Sequence, residues 1–216
     1  MRPLLPLVLS LLLLLPATAS AASSAASSRL EQAVAGLPQH GDRLGRRDAP
    51  LVMELFADLQ CPFCAEFSAS ALPRIVRSWV AGGSLQIRYR LLTFLGRDSV
   101  RAARMAIAAG EQRRLWQFTS RMFANQGQEN TGYVTDDYLL EVGRLVSGLD
   151  ADAALTAARA DATLDPLRAA DRLSQRLRVK GTPTLALGRR GGPLTLFDGA
   201  ARYREIDAAL RALQRR

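Results

Sequence analysis

An apolar run, Leu51-Val52-Met53-Glu54-Leu55-Phe56-Ala57, stops just short of Cys61-Pro62-Phe63-Cys64, and that junction constrains the fold more than any other stretch of the sequence. A short run that is apolar almost throughout suits a strand buried on both faces of a sheet. Pro62 has the fixed φ of a first helical turn and no N–H to leave unpaired there, so Cys61 belongs at or beside a helix N-terminus. Strand, tight turn and helix is the expected local order, with Asp58 as the turn and cap residue between them.

Cys61 and Cys64 are the only 2 cysteines of the 216 residues, so they can pair only with each other. On a helix, side chains at this spacing lie about 60° apart around the axis with Cβ atoms ~5–6 Å apart, close enough for a disulfide after small shifts. A bridge over so short a loop removes little chain entropy, which makes a structural staple a poor explanation. A pair that opens and closes is a better one. At the helix N-terminus, free amides and the positive dipole end favour a thiolate, marking Cys61 as the attacking sulfur and Cys64 as the resolving one.

The first residues carry a different signal. Arg2, the apolar stretch Leu4 to Leu15 and the small residues Ala17-Thr18-Ala19 read as a secretory signal peptide over residues 1–21. The alternative is an uncleaved helix anchoring the chain to a membrane. Export, with a periplasmic location, places the cysteines where disulfides persist. Residues 22–48 read as an Ala/Ser linker, then a short helix through Ala35 that Ser28 can cap, and an irregular lead-in broken by Gly36, Pro38, Gly41 and Gly45. His40, the only histidine, falls in that lead-in as a solvated loop residue. Two cysteines and one distant histidine fall short of a zinc site, and no other cofactor is indicated.

From residue 49 onward one domain is expected. The helix opened by the cysteines runs over 61–81, kinked at Pro73, and a strand follows over 84–92; this β-α-β order implies parallel pairing. Residues 98–178 are helical by periodicity, too long for a simple connection, and read as an inserted helical subdomain. Thr182-Pro183-Thr184 then opens a strand, a Gly-rich turn makes an antiparallel hairpin, and Ile206, Leu210 and Leu213 mark a last helix. The net charge of +9 rests almost wholly on arginines spread among these helices rather than gathered with aromatics in a stripe, which argues against a nucleic-acid partner.

Asp58-Leu59-Gln60-Cys61-Pro62-Phe63-Cys64 on a strand-to-helix turn, with Gly181-Thr182-Pro183-Thr184 downstream, resembles the DsbA-like branch of the thioredoxin superfamily. The resemblance extends from Ala49 to Leu213. It implies an α/β, thioredoxin-like fold with an inserted helical subdomain, and a thiol-disulfide oxidoreductase. It also implies that Thr182-Pro183 forms a cis bond beside the Cys61 sulfur, and that Thr182 offers its backbone to an extended substrate chain. Pro62 and Phe63 join Thr182 and Pro183 as substrate-contacting residues. The chain departs from the family in two places. Phe63 stands where the best-known member has a histidine, and Leu55 stands where relatives carry a buried acid. Glu54, one step earlier and so on the opposite face of the strand, and Asp58 are the remaining acids for proton handling.

The resulting expectation is a monomeric exported enzyme that introduces disulfides into folding secreted proteins and is re-oxidised by a membrane redox partner. A disulfide reductase or isomerase, a non-catalytic peptide-binding module and a thiol metal-binding protein are the alternatives.

Overall fold

The computed structural model describes residues 29–199 and 201–215. The signal peptide and the Ala/Ser linker expected over residues 1–28 lie outside the described residues. Residues 29–34 form helix α1. The strands are β1 (Gln39–His40), β2 (Arg43–Leu44), β3 (Leu51–Ala57), β4 (Leu85–Leu91), β5 (Thr184–Arg189) and β6 (Leu194–Asp198). They make one sheet in the order β1-β2-β4-β3-β5-β6.

Every residue of β3 is buried, as its unbroken apolar character requires of a central strand. It runs parallel to β4, with Leu55 opposite Tyr89, and antiparallel to β5, with Leu55 opposite Leu185. The parallel pairing and the β5–β6 hairpin agree with the sequence reading. The lead-in does so only in part. The short helix ending near Ala35 is α1, but the glycine-broken stretch after it, expected to be irregular, contains the two strands that extend the sheet, with Arg43 opposite Arg88. Two-residue strands set between glycines carry no readable periodicity, so only the sheet they join defines them. His40 lies exposed on the outermost of these strands rather than in a loop.

The crossover from β3 to β4 is helical but divided. Helix α2 (Pro62–Ala69) ends at Ser70, α3 (Ala71–Ile75) follows, and a π-helical turn (Val76–Val80) completes it. The break precedes the expected kink at Pro73 because a proline obstructs the carbonyl one turn before it, here that of Ala69. The inserted subdomain comprises α4 (Arg97–Glu111), α5 (Leu115–Ala124), α6 (Asp136–Arg144), α7 (Ala151–Ala158) and α8 (Leu164–Leu177). Thr135 caps α6 by accepting the Tyr138 amide, with Asp136 and Asp137 in the first turn where the dipole favours them. The last helix, α9 (Tyr203–Gln214), is fastened to the crossover by Trp79 Nε1, which donates to Asp207 Oδ1 at 2.9 Å.

One large apolar cluster joins Met53, Leu55, Ile87, Leu185 and Leu187 of the sheet to α2, α4, α5 and α9. A smaller one lies around Phe56, Ala186 and Ala170 of α8 on the opposite face. The turn that carries both cysteines sits where the end of a central strand meets the inserted subdomain.

Candidate active site

Cys61 is the N-cap of α2, with φ −72° and ψ 120°. Its own Sγ accepts the amide of Cys64 at 3.4 Å. That amide is one of the donors every helix leaves open at its start, so the sulfur takes the place a serine or aspartate usually fills. On its other side the thiol donates to the Thr182 carbonyl oxygen at 3.3 Å. Thr182 precedes Pro183 through a cis peptide bond, and Thr184 Oγ1 donates back to Gly181 O at 2.8 Å, holding that turn closed. The structure thus gathers Cys61, Pro62, Phe63, Cys64, Thr182 and Pro183 in one place.

The two sulfurs, both free thiols, differ sharply in environment. A hydrogen bond from Cys64 is the largest influence on the Cys61 thiol; with smaller ones from Thr182 and the Cys64 and Phe63 amides, it outweighs burial and lowers the thiol to about 6. Cys64 is pushed the other way, chiefly by burial and then by the Cys61 sulfur beside it. Cys61 is 5% exposed and Cys64 2%, so a partner reaches the outer sulfur first. Phe63 between them is 62% exposed, and Phe94, in the loop after β4, is 53% exposed. An acidified outer thiol one helical turn from a protonated inner one is equipped for thiol-disulfide exchange.

The two acids named from the sequence occupy different surroundings. Asp58 is fully buried and accepts from Ser99 Oγ at 2.6 Å, from the Gln60 amide at 2.9 Å and from the Leu95 amide at 3.2 Å. It shapes the turn before the cysteines rather than capping α2, and its own carbonyl accepts the Cys61 amide at 3.1 Å. Its amide is also among the groups acting on the Cys64 sulfur. Glu54 is bound at 2.6 Å to Arg90 Nε and at 3.5 Å to Arg88. Arg90 also reaches Asp42 at 2.6 Å, so Glu54 belongs to an ion-pair network on the face opposite Leu55 and is not brought to the cysteines.

Several residues at the site had no signal in the sequence. Gln60 is buried, and its side-chain amide donates to Leu95 O and Ser99 Oγ, both at 2.7 Å, while its Oε1 accepts the Asn130 amide at 2.7 Å. Gln126 Nε2 donates to the Leu59 carbonyl at 2.8 Å and to the Cys61 carbonyl at 3.3 Å. Tyr89, buried beside Trp116 with ring centroids 5.2 Å apart, has its hydroxyl pushed well above the ordinary phenol, chiefly by burial. Among the described residues no group of histidine, cysteine and acidic side chains could hold a metal ion.

The family model described as Thioredoxin matches residues 39–211. A probable disulfide bond formation protein D of Bacillus cereus is 31% identical over 101 residues, covering 46% of this chain and 47% of the relative. The chain thus matches about half the length of that relative. BdbD from Bacillus subtilis, in its oxidised form, superposes with a TM-score of 0.72 at 20% identity, over 85% of this chain and 98% of that one. Wolbachia pipientis alpha-DsbA1 does so with a TM-score of 0.67 at 19% identity, over 82% of this chain and 93% of that one. The chain belongs to the thioredoxin family, and its fold is that of the DsbA-like structures.

Proposed function

We propose that this protein is exported and forms disulfides in secreted polypeptides by exchange through a mixed disulfide at Cys61. The observation that carries this reading is the opposed state of the two thiols, Cys61 lowered to about 6 and Cys64 raised. An acidic outer thiol is a good leaving group and stabilises the reduced pair, which makes the disulfide form an oxidant. The apolar stretch at residues 4–15 and the protein named for disulfide bond formation among its relatives support export and the oxidative direction.

The exchange runs in two displacements. A substrate thiolate attacks Cys61 Sγ of the oxidised pair, the Cys61–Cys64 bond breaks, and Cys64 leaves as a thiolate that takes up a proton. A second substrate thiolate then attacks the substrate sulfur of the mixed disulfide and Cys61 leaves as the stabilised thiolate. The substrate loses two electrons and the enzyme gains them. A membrane redox partner restores the disulfide. Thr182 and Pro183 present backbone to the extended substrate, while Pro62 and exposed Phe63 meet its side chains. Of the two acids, Asp58 lies in the turn and is the one kept for proton handling, although only its backbone amide acts on the Cys64 sulfur.

Titration of the Cys61–Cys64 pair against a glutathione buffer tests the direction. A potential above about −200 mV is expected, and a value near the roughly −270 mV of thioredoxin would overturn the oxidative reading. Cys61→Ala is expected to abolish oxidation of a dithiol peptide; unchanged activity would remove Cys61 from the mechanism.

A further inference from the structure

The catalytic turn is gripped from outside by the segment between α5 and α6. Gln126 reaches the carbonyls of Leu59 and Cys61, and the amide of Asn130 meets the side chain of the intervening Gln60. Three consecutive residues, 59 to 61, are thus held by two side-chain or backbone donors from a single loop. The loop itself is stiffened from behind. Tyr138 of α6 donates its hydroxyl to Asn125 O at 2.7 Å and packs edge-on against Tyr133, with ring centroids 5.1 Å apart. A side chain at Gly127 would come within 2.8 Å of the Tyr133 ring, so the loop passes this aromatic pair closely. Asp98 Oδ2 accepts the Gly132 amide at 2.8 Å and fixes the loop's far end.

Gln126 differs from the other donors in what it touches. The Leu59 carbonyl has no other partner among the described hydrogen bonds, and Leu59 is buried, so loss of Gln126 leaves that oxygen unpaired. The Cys61 carbonyl already accepts the Cys64 and Ala65 amides, both at 3.1 Å, and Gln126 adds a third donor. Both oxygens carry partial negative charge and belong to the turn that bears the sulfur. A donor that neutralises them favours the thiolate, and a donor that fixes the turn keeps the Cys64 amide aimed at Sγ.

We infer that Gln126, a residue of the inserted subdomain, is a positioning residue for the exchange reaction, acting on Cys61 through the carbonyls of the turn that carries it. The inference rests on the reading of Cys61 as the attacking sulfur. It makes the insertion a working part of the redox centre rather than only a cover for the sheet.

Gln126→Leu removes the amide, and Gln126→Glu keeps its shape but places an acceptor against two acceptors. Gln128→Ala, an exposed change in the same loop, is the control. Ultraviolet thiolate absorbance of the reduced proteins gives the Cys61 titration midpoint, and thermal unfolding is recorded alongside. The midpoint should rise by about half a pH unit or more in Gln126→Leu, a roughly threefold loss of thiolate below the midpoint, and by more in Gln126→Glu. The control should titrate with the parent. If either variant fails to fold, the same rise is read on Gln126→Asn, whose shorter amide cannot span both carbonyls. Midpoints coincident with the parent in folded Gln126 variants would overturn the inference, whether or not stability falls. A parent midpoint near the ordinary ~8.5 of a thiol would instead overturn the assignment of Cys61, which separates the two failures.

Discussion

Ser99 Oγ of helix α4 donates to Asp58 Oδ1 at 2.6 Å, joining the inserted subdomain to the turn before the cysteines across 41 residues of chain. The same carboxylate accepts two backbone amides and has no exposed surface. Asp58→Ala would strand all three donors in a buried site, at a cost of about 3 kcal/mol or more. Asp58→Asn, which keeps one oxygen acceptor, should cost less. Urea unfolding of the reduced proteins measures both; a loss under ~0.5 kcal/mol in the alanine variant would mean that the turn does not depend on the carboxylate.

The Cys61 thiol sets a pH dependence for the reduced protein. Its native value of about 6 lies below the ordinary ~8.5 of a thiol, so its contribution to stability is complete above the upper value and is lost as pH falls through the lower one. Between them, stability of the reduced form should rise with pH by up to about 1.4 kcal/mol per unit relative to Cys61→Ser. At pH 7 thiolate should exceed thiol roughly ten to one, so alkylation should already be near its plateau. A Cys61 alkylation rate still climbing tenfold from pH 7 to 8 would contradict this.

Glu54 supplies a separation of stability from chemistry. Glu54→Ala leaves Arg90 with Asp42 alone and Arg88 without its carboxylate, and should destabilise the fold by about 2 kcal/mol. Because that network lies across the sheet from Leu55, the Cys61 titration should not move. A displaced titration with unchanged stability would restore Glu54 as a proton-handling group.

Phe63 tests the outer surface. With 62% of its surface exposed, its loss removes little packing, and Phe63→Ala should alter stability by no more than ~0.5 kcal/mol. If its ring docks apolar substrate, kcat/KM on an apolar dithiol peptide should fall several-fold while the rate with a small dithiol stays constant. Equal rates on both substrates would remove Phe63 from recognition.

Much of this arrangement was legible in the sequence because its signals are local. An unbroken apolar run, a proline at the first helical position and the helical periodicity over residues 98–178 all act within a turn or two of chain. The family pattern supplied the long-range pairing of Cys61 with Thr182. The contacts of Gln60, Ser99, Gln126 and Asn130 had no comparable signal. Each is a single polar residue whose meaning depends on a partner dozens of positions away, and glutamine has no periodicity or fixed backbone preference that marks such a role. The strands at Gln39–His40 and Arg43–Leu44 were missed for a related reason, being too short to alternate.

The hydrogen bond from Cys61 to Thr182 spans 121 residues, and this bears on the order of events during synthesis. A chain made from its N-terminus carries Cys61 long before the segment that will meet it exists. The eight residues of α2 are too few to hold a helix unaided, so the amides that acidify the sulfur are not yet aligned either. The nascent polypeptide therefore bears an ordinary, sluggish thiol, and the reactive one comes into being only when the C-terminal segment carrying Thr182 has closed over it.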